Sequence, residues 1–337
     1  LPDRQCFRYD GLRRLTEAFT VKDSSCPTSA VGQNLLGGAS PYWTNYTYDD
    51  LGNRTSQTQH ATTSSGADRT STYTYGAGAA GPHALTSAEV KSGNAAVVRE
   101  SYSYDKAGRQ SKRQLAGGAP QQTLTWDSEG ELQTVTAGSS AASFVYDGNG
   151  DRLTRTDSSG TTVYLPGGQE ILVTAADGVK SATRYYGFDG QTVAVRDKNG
   201  LGGGVTSLVG DPHGTTLAAI PNTKWAANDV VKQYTDPFGA ARGAAASIPG
   251  DRQFLDKTRD TATGLTMVGG ARYYDEANGR FISVDPVLDL ADPQQWNAYA
   301  YANNNPPTTY SDPSGLTPPA STTTTTAAAA PPGQRPP

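Results

Sequence analysis

Hydrophobic and polar positions in this chain alternate over short stretches, and each stretch breaks at a turn. Four segments align on an aspartate: YTYDDLGNR (46–54), YSYDKAGRQ (102–110), LTWDSEGEL (124–132) and FVYDGNGDRL (144–153). Each reads aromatic or aliphatic, polar, aromatic, Asp, two free positions, Gly, then a polar or Arg-led continuation, a repeat visible within the one sequence. Tyr46 and Tyr48 are two apart and so share one face of a strand. Asp49 suits the first corner of a type I turn and Gly52 its last, where φ can be positive. Every unit therefore predicts strand, turn and return strand.

The aromatic positions Tyr48, Tyr75, Tyr104, Trp126 and Tyr146 follow one another at steps of 20 to 29 residues, room for one hairpin and a variable loop. Asp-x-x-Gly occurs nine times, beginning at Asp49, Asp105, Asp127, Asp147, Asp157, Asp197, Asp211, Asp236 and Asp312, so the turn is a building element before it is anything else. A lone hairpin cannot bury its face. Successive units are expected to pair edge to edge in a long antiparallel sheet that curls as twist accumulates. On pattern alone a compact β-sandwich or propeller remains an alternative.

Composition agrees with an all-β chain: 38 Gly, 21 Pro and 18 Tyr, with 35% hydrophobic residues. No run of about 18 apolar residues exists, so no membrane span is expected. The net charge of −4, without a basic stripe, gives no footprint for nucleic acid. Cys6 and Cys26 lack Cys-x-x-Cys spacing and His60, His83 and His213 are scattered, so no metal or other cofactor is expected. The two cysteines read either as a disulfide closing a loop or as free thiols. The chain opens Leu-Pro-Asp without an initiator Met or an apolar leader, and the expectation is a fragment of a longer polypeptide.

From residue 233 onward the motifs become specific: QYTDPFGAARG (233–243), FLDKTRDTATGLTMVGGARYYDEANGRFISVDP (254–286) and NAYAYANNNPPTTYSDPSGL (297–316). With the preceding YxYDxxGR units, the chain resembles YD-repeat proteins of the Rhs type, ending in the Rhs repeat-associated core. The resemblance implies a hollow shell of spiralling β-sheet that holds a C-terminal toxin domain, secreted or at the bacterial cell surface. Its partners would be the remainder of its own shell and that toxin, a domain absent from this chain. The implied organisation is a YD-repeat region over 1–232 with an irregular loop at about 20–42, the core over 233–316, and a tail over 317–337. That tail, TPPASTTTTTAAAAPPGQRPP, has no acid and almost no hydrophobe and is expected to be disordered. A repeat segment taken alone is also expected to expose apolar residues of its inner face.

In shells of this kind that release their cargo, two aspartates cut the chain just after Asp-Pro-x-Gly-Leu. Carried onto this sequence, the resemblance places one carboxylate at Asp285, with Asp289 as a competitor, the second at Asp312, and the cut between Leu316 and Thr317. Two close carboxylates cannot both ionise cheaply, so one keeps a proton while the other activates water. Arg272, preferred over Arg280, is the expected basic neighbour. A second functional reading is a surface adhesin that binds glycans through its alternating aromatics, without cleavage. A glycoside hydrolase with paired acids is a remote third.

Overall fold

The structure, a computed structural model, describes residues 2–307 except 79, 177, 198–203, 224–225, 270–271 and 288–292. Among these residues nineteen strands, from β1 (Gln5–Tyr9) to β19 (Val231–Lys232), form one sheet. Each strand pairs antiparallel with the next in sequence, beginning with β1 against β2 (Leu15–Thr20) and ending with β18 (Thr216–Pro221) against β19. The sheet curls far enough for Gln5 and Phe7 of β1 to face Thr215 and Leu217, at the start of β18, across a cleft of about 160 Å³.

The turn chemistry repeats from unit to unit. Asp49 Oδ1 accepts the N–H groups of Leu51 and Asn53 at 3.0 and 2.8 Å, and the amide of Gly52, at φ +78°, bonds the Asp49 carbonyl. Asp105, Asp127, Asp147, Asp211 and Asp236 accept the same pair of amides in their own turns. Asp10 does so too, although its turn has Arg13 at φ 62° where the others have Gly. Asp157 differs: it pairs with Gly160 across a two-residue hairpin.

The aromatic residue that ends the forward strand in five units hooks onto the preceding repeat. The hydroxyls of Tyr48, Tyr75, Tyr104 and Tyr146 donate to the carbonyls of Leu15, Arg54, Leu85 and Leu132, and the Trp126 indole donates to Gln110. Each acceptor is the first residue of its return strand. Immediately after it the register slips by one residue, so Tyr104 faces Gln110 while Ser103 faces Lys112. This is a β-bulge, which raises the local twist and helps the sheet curl.

The described residues between 233 and 307 fill the concave side. Their small sheet, β20 (Thr258–Asp260), β21 (Leu265–Val268), β22 (Arg272–Asp275) and β23 (Arg280–Phe281), is antiparallel. Leu265, Tyr273 and Ile282 pack on Leu124, Leu132, Val135 and Phe144 of the large sheet. Phe238, Phe254, Tyr274, Phe281 and Tyr301 pack on Leu15, Ala18 and Tyr46. The expectation of a bare inner face is thus corrected: the chain folds back and covers it. Near the N-terminus a disulfide joins Cys6 to Cys26, with Cα atoms 5.7 Å apart.

Candidate functional site

The core is held to the sheet by buried ion pairs built from turn aspartates. Asp260 and Asp275 open turns one residue longer than the repeat turns, in which Gly264 and Gly279 bond back to their carbonyls. Oδ1 of each caps its own turn. Oδ2 faces outward, to Arg152 at 3.1 Å from Asp260 and to Arg113 at 2.7 Å from Asp275. Arg54, a third inner-face arginine, lies 3.9 Å from the Phe238 ring centroid and donates to the Asn278 carbonyl.

Asp285 and Arg272 come together. Arg272 Nη1 lies 2.7 Å from Asp285 Oδ2, and its Nη2 donates to the Ala298 carbonyl at 3.1 Å. The guanidinium is fixed by the Phe281 ring, 3.6 Å away at its centroid. Asp285 Oδ1 accepts the Val287 N–H, and its own N–H donates to Ala298, so the carboxylate is held from both sides. Arg280 points elsewhere, donating to the His83 carbonyl between the rings of Tyr75 and Tyr299. Asp289, Asp312 and the Leu316–Thr317 bond lie outside the described residues, as does the 317–337 tail.

Asp285 and Arg272 line an open cleft of about 860 Å³ whose other wall is formed by the repeat turns at Glu129–Glu131 and Tyr146–Gly150, with Arg109. Burial together with the charges of Asp127, Glu129 and Asp147 pushes the Glu131 carboxyl above its usual range. Asp127, Glu129 and Glu131 bring carboxylate oxygens within 4.8 Å of one another, the one such trio among the described residues that a cation would suit. Both the repeat turn and the 283–286 strip therefore present acid to the same cleft. His213 in the Asp211 turn is half-buried beside Phe254 and Leu255 and does not reach it. Tyr46, Tyr73 and Tyr102, aromatics that alternate along the strands, are buried in the core and present no open platform.

Asp260 and Asp275 escaped the sequence reading. Their signal is Asp-x-x-x-Gly, in DTATG and DEANG, each followed by a strand.

Comparison with known proteins places these features. No family model matches the chain. It is 29% identical over 284 residues to the tRNA3(Ser)-specific nuclease WapA of Bacillus spizizenii, spanning 80% of this chain and 11% of that protein. It is 28% identical over 236 residues to the probable deoxyribonuclease RhsB of Dickeya dadantii, spanning 64% of this chain and 15% of that one. Among solved structures, that of TcdB2-TccC3-Cdc42 superposes with a TM-score of 0.60 at 20% identity, covering 93% of this chain and 17% of the other. In its repeats and its core the chain is similar to YD-repeat proteins of the Rhs type. Its curled sheet and internal core share the fold of the TcdB2–TccC3 shell, and it spans less than a fifth of each of these larger chains. No helix among the described residues is long and apolar enough to cross a membrane.

Proposed function

We propose that this Rhs-type segment closes a toxin-enclosing shell and cuts its own chain between Leu316 and Thr317, using Asp285 and Asp312. The observation that carries the reading is the Asp285–Arg272 pair on the wall of an 860 Å³ cleft, directly before the segment that leads to residue 312. The relatives support this partner and location: WapA is a tRNA nuclease, RhsB a probable deoxyribonuclease, and one TcdB2-TccC3 structure is described without its hypervariable C-terminal region. A secreted or surface-delivered bacterial shell with an appended toxin fits all three.

Chemically, one aspartate takes a proton from water while the other, protonated, donates to the Leu316 carbonyl oxygen. The water oxygen bonds to that carbon. The C–N bond to Thr317 then breaks, its nitrogen takes a proton, and the products are a Leu316 carboxylate and a Thr317 amine. Arg272 pairs with Asp285 and orients it, a positioning role.

Intact-mass analysis of the purified chain tests this. A product ending at Leu316 is expected, lost in Asp285→Asn and in Asp312→Asn. A folded wild-type chain that stays uncut overturns the reading.

A further inference from the structure

The core fills the concave side of the sheet, while the convex side changes character from one end to the other. Across β3 (Trp43–Tyr48), β4 (Arg54–Gln59) and β5 (Arg69–Tyr75) the convex rows read Thr47, Ser56, Thr72 and Asn45, Thr58, Thr70. Hydroxyls bond along them, Thr47 with Ser56 at 2.7 Å and Thr58 with Thr70 at 3.3 Å. Across β13 (Gly160–Leu165), β14 (Gln169–Thr174), β15 (Gly178–Phe188), β16 (Gln191–Arg196) and β17 (Val205–Gly210) the rows are different. One is Val163, Ile171, Ala182; the next is Leu165, Gln169, Arg184, Arg196, Val205; a third is Tyr186, Ala194, Ser207. The strand neighbours Tyr185, Val195 and Leu208 are buried with Ile248 of the core, so these rows face outward.

Bulges and a hairpin tip widen the apolar area. The register skips Val193 in β16 and Leu217 in β18, and both side chains are exposed. Phe188, just before the turn at Asp189-Gly190, is 75% exposed, and Val179 near the other end of β15 is 66% exposed. Contiguous exposed apolar surface of this kind marks a contact site. Arg, Tyr and Phe, all present on it, are side chains that protein interfaces concentrate.

Arg184 and Arg196 stand directly opposite each other within this face. Like charges so placed repel. Among the described residues neither guanidinium makes an ion pair or a hydrogen bond, and Arg184 lies over the Tyr186 ring, 5.3 Å from its centroid. With Gln169, Ile171 and Ala182 the two arginines line a cleft of about 410 Å³. Two acids border that cleft: Glu170, which alternates to the inner side opposite Tyr164 and Thr183, and Asp197, which follows the end of β16. None of the three outward rows holds an acid. A carboxylate brought in from outside would meet two guanidinium forks and relieve their repulsion.

We propose that the convex face of β13–β17 docks a protein that sets a carboxylate among apolar side chains, with the carboxylate seated between Arg184 and Arg196. Charge complementarity selects this occupant. A second copy of the chain, docked by the same face, would bring arginine towards arginine and supply no acid. A nucleic acid needs cations spaced along a line of phosphates, whereas these rows offer one pair in an apolar surround. None of these residues lines the Asp285 cleft, so the contact is independent of cleavage at Leu316.

Selection of a random peptide library, displayed on phage, against the immobilised full chain tests this. The net charge of −4 gives the chain no general attraction for acids, so an acidic consensus has to come from a local site. Peptides with Asp or Glu flanked by apolar residues are expected to be enriched. A synthetic peptide of the enriched sequence is expected to bind the Arg184→Ala, Arg196→Ala double variant at least about tenfold more weakly than the wild type. Both arginines are exposed, so the double variant is expected to keep its fold, which circular dichroism checks. In hydroxyl-radical footprinting the bound peptide is expected to protect Tyr186 and Phe188. A selection without an acidic consensus, or equal affinity for the double variant, overturns the proposal. Dimers of the free chain that Phe188→Ser dissolves would make a second copy the occupant and overturn it too. So would co-sedimentation of the chain with phosphatidylglycerol vesicles that the double variant loses.

Discussion

Aspartate is the residue this chain uses most economically, and its effect depends on which oxygen is left over after the turn is capped. In Asp105 the second oxygen meets Arg109 in a half-exposed turn, 2.7 Å away. In Asp260 it meets Arg152 in a site where both side chains are nearly inaccessible to water. Asp260→Asn keeps the capping oxygen but strands a buried guanidinium, so a loss of about 3–5 kcal/mol is expected. Asp105→Asn loses only a screened pair, about 0–1 kcal/mol. Urea unfolding midpoints of the two variants check the contrast, and equal shifts would refute it. A turn motif displays the capping oxygen in sequence and hides the other, so Asp-x-x-x-Gly marks Asp260 and Asp275 as turn residues while their arginine partners show only once the core's position is known. Asp285 and Arg272 were reached only through the family's motif order; their 2.7 Å contact depends on residues 272 and 285 being brought together by Ala298 and Phe281.

At the scale of the element, the forward strand was legible and the return strand was not. Tyr46 and Tyr48, or Tyr102 and Tyr104, obey the period of two that marks a strand face. The return strands instead bury residues three apart, Leu85 and Ala88 or Leu132 and Val135, because the bulge inserts one residue after the first. A search for strict alternation misses that pattern. The inserted residue points to solvent, as with Leu153 in the Tyr146 unit, which is 41% exposed. Leu132→Ala, inside the core, is expected to cost about 2–5 kcal/mol, whereas Leu153→Ala should stay within about 0.5 kcal/mol of the wild type. Tyr104→Phe removes the hook to the Leu85 carbonyl and is expected to cost about 1 kcal/mol. Denaturant midpoints are expected to shift most in Leu132→Ala, less in Tyr104→Phe and least in Leu153→Ala if the bulge sets the inner face.

For the whole molecule, the governing fact is that among the described residues the sheet does not close on itself through strand pairing; β1 and β18 face each other across side chains of the core. Phe254, Leu255 and Tyr301 stand in that gap, and Leu265, Tyr273 and Ile282 fill the middle of the concavity. None of these long-range contacts has a local sequence signature, so repeats could be counted while the covered inner face could not be foreseen. A chain stopped after Lys232 would keep every repeat hairpin yet expose Leu124, Leu132, Phe144 and Tyr185, and leave Arg113 and Arg152 without their carboxylates. An apolar concave face next to unpaired strand edges favours association between copies. The truncated chain is therefore expected to aggregate or bind hydrophobic dyes strongly, and to regain solubility when residues 233–307 are supplied in trans. A monodisperse truncated chain whose amides exchange as slowly as those of the intact protein would show that the sheet stands alone and that the core is merely attached to it. Solubility restored by the core, but not by a core carrying both Asp260→Asn and Asp275→Asn, would locate the attachment in the two buried pairs and not in apolar contact alone.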